Sequence, residues 1–592
     1  MPFHLILVFF SLSILILSFL LPLFHGLFYV FQLAFSSEIS LFSEQAAFYL
    51  FPRKLFLGLI ISLVTTFFSL LLACLIASLS FRHHHARENF WTRFFVLTGL
   101  STPHVAFALG LVFLVVPSGP LFRIFSSYFG WVNPPPINIA SDNLGIFYMV
   151  TMVFRETPFL LFVILAALSQ KNLKKYYEVA RSFGYHHHQA WLGIIFPVIY
   201  KRIRYAIFLV MAFVMVNVEV AMIAGPKTPS LFSVQLFELF GNGDVSKLQL
   251  AAKGSLLLPL MIGVGIVLWK LLEIFVKKMW LLFLQSGRTL FLKRTKTFLS
   301  NFVEVVFCHS AAMSLFLLLV VYCFVFVILI FWSIVGQWPF PNWLPQDFSL
   351  NSWRLFFDSL RFLSSPFINP ITNSLFLAIF STFFSIVICL MIFESENLLK
   401  RKFSRFPIFF LKIFKKIWII PFFALYLPEI TYLLGLEVFF LKLDLFFREF
   451  FKPFPLKDLV FTTWVHFLFV FPYIYLILHN VYFSFDYRYT VLYRSFGKSE
   501  WIGFLKVKLA FLAKPLIFAF SLGASVSIAQ YLSTVFIGGA AVPTVTTETM
   551  ALISSGNSRT VAAYALVQVA LPCLFFFSAL MFSKKFDFIS MK

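Results

Sequence analysis

Apolar positions in this chain come in runs of about twenty residues, and polar positions collect in short basic segments between them. A membrane-spanning helix needs about 20 mainly apolar residues. Runs of that kind lie at 5–34, 55–81, 94–116, 145–169, 205–224, 251–269, 309–335, 371–393, 417–441, 459–483, 516–537 and 561–582. The pattern predicts about twelve transmembrane helices. The first run has no basic segment ahead of it, is too long for a signal-peptide core and lacks a small-residue cleavage site, so it is expected to remain as a helix.

Composition narrows the class further. Of 592 residues, 60% are hydrophobic and only 12% charged, against about 25% charged in an ordinary soluble domain. That excludes a soluble enzyme, a disordered chain and a disulfide-rich scaffold. The 87 phenylalanines occupy leucine-like positions and read as lipid-facing bulk. A net charge of +23 raises nucleic acid as a partner, because a basic stripe is the footprint of a phosphate-binding surface. Here the basic residues instead sort by topology. With the N-terminus inside, segments 82–93, 170–204, 270–308, 394–416, 484–515 and 583–592 hold 33 of the 47 Lys and Arg. The positive-inside rule then places both termini in the cytoplasm, and no nucleic acid is implied. Cys74, Cys308, Cys323, Cys389 and Cys573 have neither C-x-x-C nor metal spacing, so no disulfide, metal or other cofactor is implied.

The two halves repeat each other. Arg181-Ser182-Phe183-Gly184 recurs as Arg494-Ser495-Phe496-Gly497, an offset of 313, and Pro158 falls against Pro472 at 314. Pro229 pairs with Pro543 and Pro259 with Pro572; Pro103 and Gly110 pair with Pro428 and Gly435 at 325. Six spans per half is an even number, so the repeats are parallel about an axis along the membrane normal. The expected division is a first repeat over 1–290 and a second over 291–592.

The segment after the fourth span carries the most information. It reads Glu178-Val179-Ala180, then Gly184, then nine residues to Ile194-Ile195-Phe196-Pro197. A helix, a glycine-permitted break and a second helix form a rigid projection. This resembles the E-A-A-x-x-x-G-x(9)-I-x-L-P loop of the permease subunits of binding-protein-dependent ABC importers. Glu178, Ala180, Gly184, Ile194 and Pro197 match; Val179 and Phe196 depart from it. The second copy is worn: Gly497 remains, but Val491 stands in the place of Glu and Ala510 in that of Pro. The stretch Ser527-Ile528-Ala529-Gln530, Gly538-Gly539 and Pro543 to Glu548 is similar to fused permeases of the thiamine and ferric-iron group, and within it to the YnjC-type permeases. The resemblance implies the type I importer permease fold: all-α, polytopic, two parallel six-helix repeats. It also implies a bacterial inner membrane location, two copies of a cytoplasmic ATP-binding subunit on the two loops, and a periplasmic solute-binding protein. The chain is not expected to hydrolyse ATP, because Leu492 stands where a phosphate-binding loop ending at Gly497-Lys498-Ser499 needs its first glycine.

Other polar residues compete for a role. Arg155 and Glu156 lie near the middle of the fourth span, where a charge costs about 2.5–3.5 kcal/mol, so both should face other spans. They are candidates for the solute path or its gate, or for a structural polar lock. Asn217, Glu219 and Gln530, in the fifth spans, are further candidates. The runs His83–His85 and His186–His188 read as solvated faces, since adjacent helical residues point about 100° apart and do not converge on a metal. The functional alternative to an importer permease is an ion-gradient-driven transporter with twelve spans, which gives no reason for the Glu178 to Gly184 loop.

Overall fold

The computed structural model describes residues 10–11, 13–36, 52–82, 86–168, 171–285, 298–362, 369–402, 427–450, 456–486, 488–497 and 500–590. The chain is an all-α polytopic membrane protein. The first half contains α1 (Leu21–Phe35), α2 (Pro52–Arg82), α3 (Ala86–Ser101), α4 (His104–Val115), α5 (Pro120–Phe129), α6 (Ile146–Leu168), α7 (Lys171–Ser182), α8 (His187–Ala190), α9 (Phe196–Val216), α10 (Glu219–Ala224), α11 (Phe232–Phe240) and α12 (Val245–Gln285). The second half contains α13 (Phe298–Ile334), α14 (Asn351–Phe362), α15 (Pro370–Lys402), α16 (Glu429–Phe450), α17 (Lys457–Ser484), α18 (Arg488–Ser495), α19 (Glu500–Gly503), α20 (Leu509–Ala529), α21 (Val545–Ile553) and α22 (Ser558–Ser590).

Among the described residues, ten helices are long and apolar enough to cross a membrane, or eleven if the bent pair Thr534–Ala541 and Val545–Ile553 counts as one span. The expected span at 205–224 is divided, because α9 stops at Val216 and α10 begins at Glu219. Asn217 causes the stop: its Oδ1 accepts from the Val220 N–H at 2.8 Å and caps the next helix. The run at 417–441 falls partly outside the described residues, and the described helix begins at Glu429. The run at 94–116 breaks at Thr102-Pro103, between α3 and α4.

The repeat is structural as well as sequential. In each half the second, fourth and fifth membrane helices pack on one another: α2, α6 and α9 in the first, α15, α17 and α20 in the second. The break after Val216 returns after Ala529, and α11 and α12 return as α21 and α22.

The compact units differ from the two sequence halves. One consists of residues 1–37, 101–106 and 350–592; the other consists of residues 38–100 and 107–349. In the first unit α1 packs on α16 from the second half, and in the other α13 packs on α2 from the first. Glycine makes the first of these approaches possible, and another glycine brings α4 onto α13. A Cβ on Gly435 would lie 2.1 Å from the Gly26 carbonyl oxygen, and one on Gly110 would lie 2.6 Å from a Val325 methyl. Small residues allow membrane helices to touch backbone to backbone, where packing rather than hydrophobic expulsion drives association. Phenylalanine serves on both sides. Phe24, Phe28 and Phe35 are exposed, whereas Phe19, Phe107, Phe393 and Phe471 are fully buried, so the expectation of lipid-facing bulk covers only part of them.

Irregular backbone is secured by side chains. Arg123, on α5, is 3% exposed; its guanidinium lies 3.9 Å from the Trp338 ring centre and donates to the carbonyls of Ser118, Trp338, Pro339 and Asn342 at 2.8–2.9 Å. In the second half the bent segment is held by the Asn373 amide donating to Pro543 O at 2.9 Å and by Val545 N–H donating to Ser374 Oγ at 3.0 Å. Thr546 Oγ1 donates to Ile528 O, a carbonyl released where α20 ends, and accepts from Gln568 Nε2 at 2.8 Å.

The glycine contacts give a direct test. Gly435→Val should lower the thermal midpoint of the detergent-solubilised protein by an amount equivalent to about 1–3 kcal/mol or more, as for other overpacked sites. Gly58→Ala should leave it unchanged or slightly higher, because no atom of the described residues lies within 4 Å of a Cβ there and alanine is the better helix former. Equal midpoints for the two variants would contradict the close α1–α16 approach.

Candidate functional site

The segment after α6 folds as the sequence pattern anticipates, and its stop is visible atom by atom. Gly184 has φ +84°, in the left-handed region where a side chain is strained. Its N–H donates to Arg181 O at 2.9 Å and the Tyr185 N–H donates to Ala180 O at 3.3 Å, the paired bonds of a Schellman stop. The chain turns into α8, where the His186 N–H donates to Gln189 Oε1 at 2.8 Å. A five-residue π-turn, Trp191–Ile195, leads into α9. Pro197 enters α9 in its first turn, where a proline is tolerated. Glu178 is exposed and 3.9 Å from Lys174 Nζ. Ala180 is buried, Ile194 half-buried and Pro197 exposed.

The second segment repeats this form. α18 ends before Gly497, with φ +71°, and α19 leads to a π-turn at Phe504–Lys508, offset by 313 from the first. Among the described residues no atom lies within 4 Å of where a Gly497 Cβ would sit, and the backbone angle is what demands glycine there.

The two segments are tied to their spans by different chemistry. His187 and His188 are 1% and 3% exposed, which corrects the expectation that this run is a solvated face. The loop folds back against the ends of α2 and α13, so these rings replace water with protein. His188 Nδ1 is 2.8 Å from Glu304 Oε2 on α13, and the other carboxylate oxygen is 3.8 Å from Arg82 at the end of α2. His187 Nδ1 is 2.9 Å from the Tyr177 hydroxyl. Trp191, fully buried, donates from Nε1 to Cys74 Sγ at 3.3 Å. Burial lowers the His187 pKa to about 4, and burial raises that of Tyr177. The run His83–His85 lies outside the described residues. The second segment uses Lys508 instead. Its side chain is 7% exposed, its Nζ is 2.8 Å from Glu394 Oε2 on α15 and 3.8 Å from the Tyr482 ring centre, and Tyr482 also donates to Glu394.

Within the spans, Arg155 and Glu156 are both buried on α6. Arg155 Nη1 donates to the Gly99 carbonyl on α3 at 3.1 Å and also bonds the Tyr322 hydroxyl on α13. A Cβ on Gly99 would lie 2.4 Å from the Pro158 ring, so the same glycine admits α6 and presents the carbonyl that Arg155 uses. Asn217 Nδ2 reaches the half-buried Glu219 at 3.4 Å. Gln530 Oε1 accepts from Ser533 Oγ at 3.1 Å just past the end of α20. The structure therefore joins Asn217 to Glu219 and Arg155 to two other helices, and it places Asn217 and Gln530 at equivalent helix ends. Sequence reasoning missed His466, fully buried on α17 between Ser527 Oγ (2.8 Å) and Thr534 Oγ1 (2.9 Å). A lone imidazole inside an apolar run was its signal. It also missed Glu304, Glu394 and Lys508, which sit at the ends of spans.

A shift in His187 implies a pH dependence. Its folded-state pKa lies below the ordinary value of about 6.5, so its contribution is fully present above pH 6.5 and is lost as pH falls towards 4. The full loss is on the order of 3 kcal/mol. Glu304, Arg82, Arg181 and Tyr177 surround it, so the measurement is a comparison with His187→Asn. Hydrogen-exchange protection over 177–195 should fall between pH 7 and 5 more steeply in the parent than in that variant. Parallel slopes would show that His187 does not titrate with loop opening.

No family model matches the chain. It is similar to the inner membrane ABC transporter permease protein YnjC of Escherichia coli (strain K12), at 26% identity over 477 residues, which cover 81% of this chain and 78% of that one. The similarity and the apolar helices together support an ABC permease role for a multi-pass inner-membrane protein.

Proposed function

We propose that this chain is the fused permease of a binding-protein-dependent ABC importer, with both halves of the solute path in one polypeptide. The doubled loop carries this reading. A helix, a left-handed glycine, a short helix and a π-turn recur at an offset of 313, and each copy is held to its spans by a buried nitrogen against a carboxylate, His188 on Glu304 and Lys508 on Glu394. A passive linker between spans needs no such bracing, whereas a lever that passes force into the membrane does. On this reading the exposed Glu178 and Pro197 meet the ATP-binding subunit, while Ala180 and Ile194 pack the lever. Gly184 and Gly497 set its angle. ATP is bound and hydrolysed by two separate subunits, one on each loop. Their closure shifts the spans between outward- and inward-facing states, and a periplasmic binding protein delivers the solute. Both termini lie in the cytoplasm. Arg155, Glu156, Asn217, Glu219 and Gln530 are assigned to the path or its gate. They are the polar groups that the membrane would otherwise exclude, and Asn217 and Gln530 stand where the fifth helices end.

The glycines rank the two levers. A β-branched residue in the left-handed region costs about 1–2 kcal/mol, so Gly184→Val and Gly497→Val should both distort their loops. Gly184→Val should reduce ATP-driven uptake more, because its loop keeps the fuller motif. Equal retention of the ATP-binding subunit by both variants in a pull-down would remove that ranking.

The stoichiometry tests the reading itself. The purified chain should show no ATPase activity alone, and native mass measurement of the solubilised complex should give one permease to two ATP-binding subunits. A stable one-to-one complex, or gradient-driven uptake in vesicles without ATP, would replace the importer with a secondary transporter.

A further inference from the structure

At the end of α2 opposite the first loop there is a cavity of about 580 Å³ that none of the assignments above uses. α2 carries Arg82 of the loop contacts at one end and Arg53 and Lys54 at the other, a separation of about 45 Å along a helix of this length. Among the described residues, Arg53, Lys54, Lys227 and Lys247 line the cavity, opposed by the carboxylate of Glu238. Lys54 is not a loose surface chain: its Nζ donates at 3.0 Å to Oε1 of Gln235, which is 6% exposed. Lys227 and Lys247 flank α11, on the turn before it and in the first turn of α12.

The location makes the cluster informative. Only 14 of the 47 Lys and Arg lie outside the cytoplasmic segments, and four of those 14 meet in this cavity. Basic residues on the outer face oppose the usual topological bias, so their convergence calls for a reason other than orientation. We infer that this cavity is an anion-binding site that takes a soluble, multiply charged oxyanion, such as a phosphate or polycarboxylate group, at the outer end of α2. The described lining residues carry three net positive charges around a half-open volume, which suits such a ligand. A lipid headgroup fits less well, because Leu239 and Pro229 are the apolar side chains at the cavity wall and an acyl chain would need a longer apolar groove. The outer placement rests on the topology proposed above; the binding chemistry does not.

The test uses the intact chain in nanodiscs of zwitterionic phosphatidylcholine, titrated with inorganic phosphate and with citrate against chloride at constant ionic strength. The thermal midpoint should rise saturably with phosphate or citrate and not with chloride. In the double variant Lys54→Gln/Lys227→Gln the apparent affinity should fall at least tenfold. If that variant does not fold, Lys247→Gln alone, at the rim, should still weaken binding severalfold. An unchanged response in the variants, or no response to either anion, would overturn the site. A response that appears only when phosphatidylglycerol is added to the disc would overturn the soluble ligand in favour of a lipid. Sidedness is read separately, by labelling Asn242→Cys on intact cells with a membrane-impermeant maleimide against the parent chain. Labelling only after lysis would overturn the outer placement while leaving the titration to decide the site.

Discussion

A peptide group that loses its helical partner inside a bilayer has no water to turn to, and the loss costs several kcal/mol. That constraint explains why the chain is helical, and it also explains the polar residues that looked anomalous among apolar runs. Asn217 caps the helix that restarts after the break in the fifth span. Thr546 takes up the carbonyl of Ile528 and is itself oriented by Gln568. Arg123 serves four carbonyls at once. Asn217 and Thr546 repair gaps in the helical ladder that fall at equivalent places in the two halves, whereas Arg123 holds loop carbonyls between helices. Polar residues in the spans therefore divide into those that mend backbone and those, such as His466, that join one side chain to others.

The two loops show the same shape maintained by unrelated contacts. One uses an imidazole–carboxylate–guanidinium chain from His188 through Glu304 to Arg82; the other uses Lys508 between Glu394 and Tyr482. Backbone form has thus persisted through the second loop's loss of its Glu and Pro, because the left-handed glycine and the π-turn remain. In both loops a buried nitrogen meets a part-exposed carboxylate, so removing the carboxylate would leave that nitrogen without its partner. Such contacts are directional, so they favour one angle of the loop against its spans.

Much of this was legible in the residues. The runs of apolar residues anticipate the membrane helices, and the 313 offset anticipates paired glycines and paired prolines. The break at Asn217 was not read, although its counterpart Gln530 sits at the same offset, because hydropathy averages over a window and one amide among valines and methionines barely lowers it. The histidine run was read as solvated because a loop between spans usually faces water; its burial depends on α13, which lies more than a hundred residues away in the chain. His466, Glu304 and Lys508 were missed for the same reason. Their significance comes from a partner on another helix, and periodicity along one helix carries no such information. The exchange of α1 and α13 between halves is likewise invisible to a repeat, which compares each half only with the other.

That exchange bears on how the chain is made. Gly26 emerges early, but the helix that carries Gly435 is synthesised about 400 residues later, a delay of about 20–80 s at 5–20 residues per second. Throughout that interval the glycine face of α1 must rest against lipid or against a temporary partner. The first half therefore cannot complete its packing before the second is inserted, so a chain truncated near its middle would leave α1 without α16 and α2 without α13, although α2 would keep α6 and α9.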